Sequence, residues 1–280
     1  MSKEFVSNKK NILIRAKKIN LGKNISFGNN IDVDIRGEFT LGDRSRLGSD
    51  VHIRGNNISF GNDLFHTRGL QVGGGGRTNP TANLSIGDRC TIHNNNLNIY
   101  KEIVIGNDVG LSTDVVIMTH GYWLSVLEGF PAKFEGVTIG DGVIVGQGVL
   151  ILPGVVITNK VVIGTGSIVT KSLSVSRSIY AGNPAKYIRE VHPLLIEEKI
   201  KKVKLILKEY DEIAKFHGIR PKIELTYPYI KVNNCKFDVE NLVFGGDEDE
   251  ETDDFRDFVR KWGLRFFSER PFKSVFRGRK

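Results

Sequence analysis

A six-residue repeat of aliphatic residues constrains the fold of this chain more than any other feature. Between residues 139 and 169 an aliphatic residue recurs at every sixth position, and a small or aliphatic residue follows four positions after each one. The recurring residues are Ile139, Val145, Ile151, Ile157, Ile163 and Val169. This period matches neither the turn of an α-helix nor the two-residue alternation of a half-buried strand.

The repeat predicts a solenoid in which each six-residue unit forms one short strand and one turn. Three units separate Ile139 from Ile157, and they would complete one triangular coil around an inward aliphatic column. Earlier stretches of the chain keep the same spacing. Glycine and Asn-Asp pairs, as at 106–108, suit corners where a positive φ is needed. A glycine-rich β-sandwich is the alternative, and six consecutive residues in phase disfavour it.

Two stretches interrupt the period, near 66–83 and near 120–137. Because binding and catalytic residues concentrate on loops that a rigid scaffold extrudes, we expect functional residues at these excursions. The first contains four glycines, 73–76, followed by Arg77. No Gly-Lys-Ser/Thr follows them, so we interpret this segment as a flexible loop and not as a phosphate cradle.

The repeat stops near Ser174, and the sequence predicts a different organisation beyond it. Apolar residues at helical spacing predict an amphipathic helix over about 193–217, with Pro193 in its first turn. A strand-like stretch covers 223–244, an acidic run that we interpret as a solvated loop covers 247–254, and a short helix covers 253–262. We therefore predict a mainly β domain over 1–190 and a helical or mixed extension over 191–280.

Composition narrows the classes of protein. The net charge of +8 favours an anionic partner. The two cysteines, Cys90 and Cys235, disfavour a disulfide framework and suit a reducing compartment. No apolar run is long enough to span a membrane, and the basic N-terminus lacks the apolar segment of a secretory signal. We expect a cytoplasmic protein, with peripheral contact at a membrane surface left open. Phenylalanines and arginines near the C-terminus suit the cover of a core edge better than a nucleic-acid site, so no nucleic acid is expected.

The segments 163–171 and 180–189 are the most specific in the chain. They resemble the C-terminal signature of the acetyl-CoA-dependent branch of the hexapeptide-repeat acyltransferases, which includes galactoside, maltose and polysaccharide acetyltransferases. The repeat resemblance covers about 19–188, and the closer match covers about 91–190. It implies a left-handed parallel β-helix, a homotrimer with active sites between neighbouring β-helices, and acetyl-CoA as co-substrate with no metal.

Coenzyme A is a long molecule with phosphates at one end, so an extended site with small corner residues and cations would suit it. Gln147 and Thr165 are three repeat units apart and are predicted to share one edge, and Thr170 and Lys171 are predicted to extend that line. By the resemblance, the coenzyme A contacts are Gln147, Thr165, Thr170, Lys171, Lys186 and Arg189. The three cations would meet the phosphates, although one residue inserted between Lys171 and Ala181 leaves the phosphate partner open. The alternative is that these cations only solubilise the end of the coil.

His120 opens the second excursion, at the place where the family has its general base. Acetyl transfer from a thioester to a hydroxyl requires removal of the acceptor proton, and a neutral imidazole suits that task. Asn94 aligns with the family asparagine that supports the acceptor and the thioester. The family's acidic sugar-binding residues are replaced here by Tyr100, Lys101 and Glu102, which leaves the acceptor open.

The resemblance therefore predicts acetyl transfer from acetyl-CoA to a sugar hydroxyl, in surface-polysaccharide synthesis or on a nucleotide sugar. N-acetylation of an amino-sugar nucleotide is the first alternative, and a non-catalytic β-helix scaffold is the second. The γ-class carbonic anhydrases share the fold, but they need a second zinc-binding histidine five positions after the first, where this chain has Ser125.

Overall fold

The aliphatic repeat forms a parallel β-solenoid whose three faces are three stacked sheets. The structure is a computed structural model that describes residues 3–75 and 78–268. The chain divides into two units, Met1–His192 and Pro193–Lys280. The first unit is the solenoid, and the second combines two helices with a small antiparallel sheet. The predicted fold class, a mainly β solenoid with a C-terminal helix and a small mixed extension, is confirmed.

Each coil contributes one strand to each sheet in turn. Sheet 1 contains β1 (Lys3–Ser7), β2 (Ile12–Ala16), β5 (Ile31–Ile35), β8 (Val51–Gly55), β11 (Gln71–Gly73), β14 (Asn96–Asn98), β17 (Val116–Met118), β22 (Leu150–Ile151) and β25 (Ile168–Val169). Sheet 2 contains β4 (Ser26–Phe27), β7 (Arg46–Leu47), β10 (Phe65–His66), β13 (Thr91–Ile92), β16 (Gly110–Leu111), β21 (Ile144–Val145), β24 (Val161–Ile163), β26 (Ser178–Ala181) and β27 (Lys186–Glu190). Sheet 3 contains β3 (Lys18–Leu21), β6 (Glu38–Leu41), β9 (Ile58–Phe60), β12 (Leu84–Ile86), β15 (Ile103–Ile105), β20 (Val137–Ile139) and β23 (Val156–Ile157).

Successive coils pair in parallel. Among the described strands of the three solenoid sheets, the first and the last, β1 and β27, run antiparallel to their neighbours. The inward residues form one continuous core, in which the predicted column of aliphatic residues is buried. Isoleucine and valine suit this position because β-branched side chains pack well on a pleated surface.

The predicted coil of three six-residue units is correct only for the later coils. Ile139 pairs with Ile157 in sheet 3 at that spacing, whereas Ile12 pairs with Ile31 and Val33 pairs with Ile53 in sheet 1. The early coils are therefore slightly longer than three units. Their additional residues lengthen the strands of sheet 1, which have five residues in β2, β5 and β8 but two in β22 and β25.

The first excursion is shorter than predicted, because β10 and β11 keep residues 65–66 and 71–73 in the solenoid. The interruption lies between β11 and β12, and its Gly76 and Arg77 lie outside the described residues. The second excursion, residues 119–136, leaves after β17 and returns at β20. It contains β18 (His120–Gly121), a 3₁₀ turn over Val126–Glu128 and β19 (Lys133–Phe134). We call residues 119–136 the arm.

In the second unit, helix α1 (Ile196–His217) begins three residues after Pro193, which therefore lies outside its first turn. The backbone N–H of Leu195 donates to the carboxylate of Glu198 at 2.8 Å, and Gly218 ends the helix with φ 74°. The antiparallel sheet contains β28 (Ile223–Thr226), β29 (Tyr229–Val232), β30 (Cys235–Asp238) and β31 (Val243–Gly246), and helix α2 (Glu250–Arg260) follows.

The acidic run at 247–254 is not the solvated loop that the sequence predicts. The Asp249 carboxylate accepts from the backbone N–H of Thr252 at 2.7 Å and caps α2. The positive end of the helix dipole stabilises an acidic residue at this position. Asp253 and Asp254 are 0% and 2% exposed. Arg256 lies 3.2 Å from Asp253, and His217 lies 2.8 Å from Asp254. These partners compensate carboxylates that burial alone would disfavour.

Two further absences concern the described residues. None of their helices is both long and apolar enough to cross a bilayer. No group of three or more histidine, cysteine, aspartate or glutamate side chains among them could hold a metal ion. Of the C-terminal basic and aromatic residues that were considered as a nucleic-acid site, those from 269 onward lie outside the described part of the chain.

Candidate active site

His120 lies at the base of the arm, two residues after β17 ends. It pairs with Phe134 in the two-stranded β18–β19 ribbon, so the arm leaves and re-enters the coil at nearly the same point. The backbone N–H of Glu135 donates to the carbonyl of Thr119 at 3.0 Å and closes the ribbon at its base. The histidine is therefore fixed where the loop meets the rigid coil.

Thr119 anchors the start of the arm to the preceding coil. Its side chain is fully buried, and its hydroxyl donates to the carbonyl of Asn98 at 2.8 Å. The same oxygen accepts from the backbone N–H groups of Tyr100 at 2.8 Å and Lys101 at 3.0 Å. One hydroxyl thus bonds three backbone groups where the coil turns, and a residue without it would leave the N–H groups of Tyr100 and Lys101 without this acceptor.

Aromatic rings surround the His120 imidazole. The Phe134 ring is parallel to it within 5°, at a centroid distance of 6.2 Å, and the rings of Tyr100 and Tyr122 lie at 5.4 and 5.5 Å. The Nδ1 atom of His120 is buried and has no hydrogen-bond partner among the described residues. Burial lowers the pKa of His120 from its ordinary value, because desolvation disfavours the charged imidazolium. The imidazole is therefore neutral at neutral pH and able to accept a proton.

Asp114 joins two of the residues predicted from the sequence. Its carboxylate accepts from Asn94 Nδ2 through one oxygen and from Gln147 Nε2 through the other, the latter at 3.4 Å. The backbone N–H of Asp114 also donates to the carbonyl of Asn94 at 3.2 Å. Asp114 is not among the residues predicted from the sequence, although its position about one early coil after Asn94 is a signal that could have identified it.

These residues lie on the corner between sheets 2 and 1, which we call the Gln147 edge: Asn94, Asp114, Gln147 and Thr165. Gln147 and Thr165 are one coil apart there, as their spacing predicts, and the Gln147 carbonyl accepts from the N–H of Gly166 at 2.8 Å. Gly148 and Gly166 have φ values of 66° and 70°. No heavy atom lies within 4 Å of a Cβ built on either glycine, so the backbone is open to a ligand along this edge.

Lys186 and Arg189 lie on the terminal strand β27, and both are exposed. Lys186 pairs with Ala181, which packs over Gly164 next to Thr165, so it lies at the end of the Gln147 edge. Arg189 pairs with Ile179, further along sheet 2.

The prediction that Thr170 and Lys171 extend the Gln147 line is wrong. They follow β25 and lie on the corner between sheets 1 and 3, which we call the His120 edge: Thr119, His120, Thr170 and Lys171. One six-residue unit advances the chain by one face of the triangle and not by one coil, so a shift of one unit moves a side chain to the next corner. Apart from Arg189, the predicted residues therefore occupy two edges, at the two ends of the strands of sheet 1.

No protein-family model matches the sequence, and no curated protein matches it significantly. Among solved structures, a maltose O-acetyltransferase from Clostridium difficile 630 is similar at 23% identity over 62% of this chain and 70% of its own, with a TM-score of 0.33. A polysialic acid O-acetyltransferase is similar at 22% identity over 64% of this chain and 92% of its own, with a TM-score of 0.38.

A hexapeptide-repeat-containing acetyltransferase from Vibrio cholerae O1 biovar eltor, complexed with acetyl coenzyme A, is similar at 19% identity. The match covers 55% of this chain and 72% of that one, with a TM-score of 0.35. The solved structures similar to this chain thus include hexapeptide-repeat acetyltransferases, as the sequence motifs predict, and the likeness concerns the fold.

Proposed function

We propose that this chain is an acetyltransferase that moves an acetyl group from acetyl-CoA to a sugar hydroxyl, with His120 as general base. The observation that carries the proposal is the state of that imidazole. The imidazole follows Thr119, which anchors the chain to the coil, and aromatic rings surround it. Burial lowers its pKa, and its Nδ1 atom has no partner among the described residues. A base that is neutral at working pH and held at the mouth of a loop suits proton abstraction.

In the proposed reaction, His120 takes the proton of the acceptor hydroxyl as its oxygen attacks the thioester carbonyl. The new carbon–oxygen bond forms, the carbon–sulfur bond breaks, and the coenzyme A thiolate takes the proton from the imidazolium. No acyl-enzyme is needed. The two cysteines, Cys90 and Cys235, are both buried in the hydrophobic cores, and burial raises the pKa of each thiol, so neither suits the role of nucleophile.

The residues of the two edges suit coenzyme A as co-substrate. The Gln147 edge offers exposed amide and hydroxyl groups on Gln147 and Thr165 beside the open backbone at two glycines, with Lys186 at its end. The His120 edge offers Thr170 and Lys171, which are both exposed. Lysine and arginine beside exposed backbone favour a phosphorylated ligand. These residues would bind and orient the coenzyme, and His120 would move the proton.

We propose a homotrimer, because one chain keeps the two edges apart. The outward residues of sheet 1 in the later coils are apolar and half-buried: Val116, Leu150 and Ile168. If sheet 1 faces a threefold axis, the Gln147 edge of one copy lies beside the His120 edge of the next, and each pair completes one site. The arm also carries exposed apolar side chains, including Trp123 at 90% and Leu127 at 94%, that a neighbouring copy would cover.

The acceptor class and location belong to the same proposal. We infer a hydroxyl of a surface-polysaccharide sugar or a nucleotide sugar, acetylated in the cytoplasm. N-acetylation of an amino-sugar nucleotide is an alternative that the same base would serve, and a non-catalytic scaffold is the alternative of another class.

The test is release of coenzyme A thiol from acetyl-CoA over a panel of neutral sugars, nucleotide sugars, amino-sugar nucleotides and polysaccharides. We expect turnover with a hydroxyl acceptor, and a loss in kcat of about 10²–10⁴ in His120→Ala. Exposed His192 serves as the matched control, and His192→Ala should keep the wild-type rate. If the chain neither binds acetyl-CoA nor turns it over with any acceptor, the scaffold alternative is favoured. Full activity in His120→Ala would show that His120 is not the general base.

A further inference from the structure

The first three coils carry a basic cavity on the corner between sheets 1 and 3. Its volume is about 530 Å³, and its lining includes Lys3, Lys17, Lys18, Arg36, Glu38 and Asn57. The corner lies in the early coils, where the strands of sheet 1 have five residues. We call this cavity the basic pocket.

The charges of the basic pocket are unbalanced. Lys18 Nζ lies 3.4 Å from the Glu38 carboxylate, while Lys3, Lys17 and Arg36 have no salt bridge to any described residue. Several other arginines of the solenoid pair with carboxylates of a neighbouring coil. Examples are Arg44 with Asp63 at 2.9 Å, Arg68 with Asp50 at 2.6 Å and Arg89 with Asp108 at 2.7 Å. Three uncompensated cations around one cavity favour an anion between them.

The floor of the basic pocket is rigid. Gly37 accepts from the N–H of Lys17 at 2.8 Å and donates to the carbonyl of Asn56 at 2.9 Å. The Asn57 amide accepts from the N–H of Glu38 at 2.9 Å and donates to Asn83 at 3.1 Å. A Cβ on Gly37 would lie only 2.0 Å from Asn57 Oδ1, so the glycine is required for this close packing. The cations therefore extend from a floor that is fixed before any ligand binds.

The basic pocket lies on the His120 edge. The corner continues from Gly37 through Asn56, the segment 81–83 and Tyr100 to Thr119. Hydrogen bonds join each coil to the next along it: Gly37 to Asn56, Asn56 to Asn83, Thr81 to Tyr100, and Tyr100 to Thr119. At the spacing of neighbouring strands, these four steps correspond to roughly 19 Å along the solenoid axis. A single sugar at His120 cannot reach that far, but a saccharide chain lying along the edge can.

We propose that the basic pocket binds an oxyanion, a carboxylate or a phosphate, on a polymeric saccharide whose acetylated residue lies at His120. This inference rests on the proposed function for the reaction at His120, but the binding itself does not. Arg36 can bind either oxyanion through two N–H groups, and the lysines supply point charges around it. The pocket acts in binding and takes no part in proton transfer.

The lining favours a saccharide over a nucleic acid. Sequence-tolerant binding of single strands relies on aromatic side chains on which bases stack, and the residues that line the basic pocket include none. Rigid asparagine amides beside the cations suit the hydroxyl groups of a sugar chain instead.

The test measures binding to the intact chain and to Lys17→Gln/Arg36→Gln. The labelled probes are an oligogalacturonate, its carboxyl-reduced neutral counterpart, a poly(glycerol phosphate) and a single-stranded oligonucleotide. We expect one of the two anionic polymers to bind, with an affinity about three- to tenfold weaker in the double variant and with a smaller salt dependence. The polymer that binds identifies the oxyanion as carboxylate or phosphate. The affinity for the neutral oligosaccharide should be the same in the intact chain and in the double variant.

The matched control is Lys9→Gln/Lys23→Gln, which removes two exposed lysines at other corners of the early coils. Equal weakening in the control, equal binding of the oligonucleotide, or unchanged binding in Lys17→Gln/Arg36→Gln would each overturn the proposal. Transfer assays separate the two proposals. With an anionic polymer as acceptor, the double variant should have a KM raised by a similar factor and an unchanged kcat. Anion binding without turnover on any acceptor would contradict the proposed acetyltransferase function and leave the proposed oxyanion site standing.

Discussion

Asn94 and His120 lie at opposite ends of the strands of sheet 1, with Asn94 before β14 and His120 after β17. The stretch from Asp114 to His120 spans about 20 Å in extended conformation, so the two edges of one chain cannot touch one ligand atom. If both residues act in one reaction, they must come from different copies of the chain.

Mixed assemblies test this arrangement. Asn94→Ala and His120→Ala should each be nearly inactive alone, but unfolding and refolding them together should restore activity to about one quarter of the wild-type value. In a cyclic assembly with random mixing, that fraction of the interfaces receives both native residues. Coenzyme A thiol release, measured on samples shown to contain both variants in one assembly, is the readout. If the mixed assemblies recover no activity, Asn94 and His120 of different copies do not form one site.

Thr119 is expected to hold the base in place through its hydroxyl. Thr119→Val keeps the shape but leaves the N–H groups of Tyr100 and Lys101 without their acceptor, so the free energy of unfolding should fall by about 1–3 kcal/mol. The kcat should fall as well, since the imidazole follows directly in the chain. Thr119→Ser keeps the hydroxyl and should retain most of both quantities. Urea denaturation and steady-state kinetics provide the comparison, and equal behaviour of the two variants would contradict the role of the hydroxyl.

The aromatic cover of His120 should set the acid limb of the pH profile. Burial lowers the pKa of the imidazole, so the neutral base persists to a lower pH and the acid limb of kcat/KM lies below the ordinary histidine value of about 6.5. Phe134→Ala opens the ring to water and should move this limb upward toward that value. Trp123→Ala alters the same arm at a side chain that is 90% exposed, and it should leave the limb in place. Coinciding limbs in wild type and Phe134→Ala would contradict desolvation as the cause.

The fold could be predicted because one short pattern repeats. The inward column from Ile139 to Val169 is buried in phase, since every coil must present an apolar side chain to the same interior. Corner geometry was less accessible. The edge of a side chain depends on which of the three units of a coil contains it. Thr170 and Lys171 belong to the unit that follows the unit of Thr165, so they lie on the next corner and not on the expected one.

The acidic run and Asp114 show a second limit of sequence reasoning. Asp253 and Asp254 are buried because Arg256, His217 and Tyr210 meet them, and the chain segments that bring these partners together are up to 44 residues apart. Asp114 became visible as a link between Asn94 and Gln147 only once three coils were stacked. Contacts between segments distant in sequence decide the burial of Asp254 and the link from Asp114 to Gln147, and no local pattern contains these contacts.

His66 should make the solenoid sensitive to acid. It replaces an aliphatic residue in an inward column, between Leu47 and Ile92, and it is 0% exposed. Its Nδ1 accepts from the N–H of Gly48 at 3.0 Å, so the neutral ring carries its proton on Nε2, which has no partner among the described residues. A proton added to this ring would displace the N–H of Gly48 and leave a buried charge without compensation.

The pH window of this sensitivity follows from the two pKa values of His66. Burial lowers the pKa of His66 to about 4, below its value near 6.5 in the unfolded chain. The unfolded state therefore binds more protons between these values, and stability is lost as the pH falls through this window. We expect the free energy of unfolding to fall by about 2 kcal/mol between about pH 7.5 and about pH 5, and His66→Leu, which restores the column, to remove most of that fall. Urea denaturation at the two pH values measures it, and an equal loss in both proteins would assign the acid sensitivity to other groups.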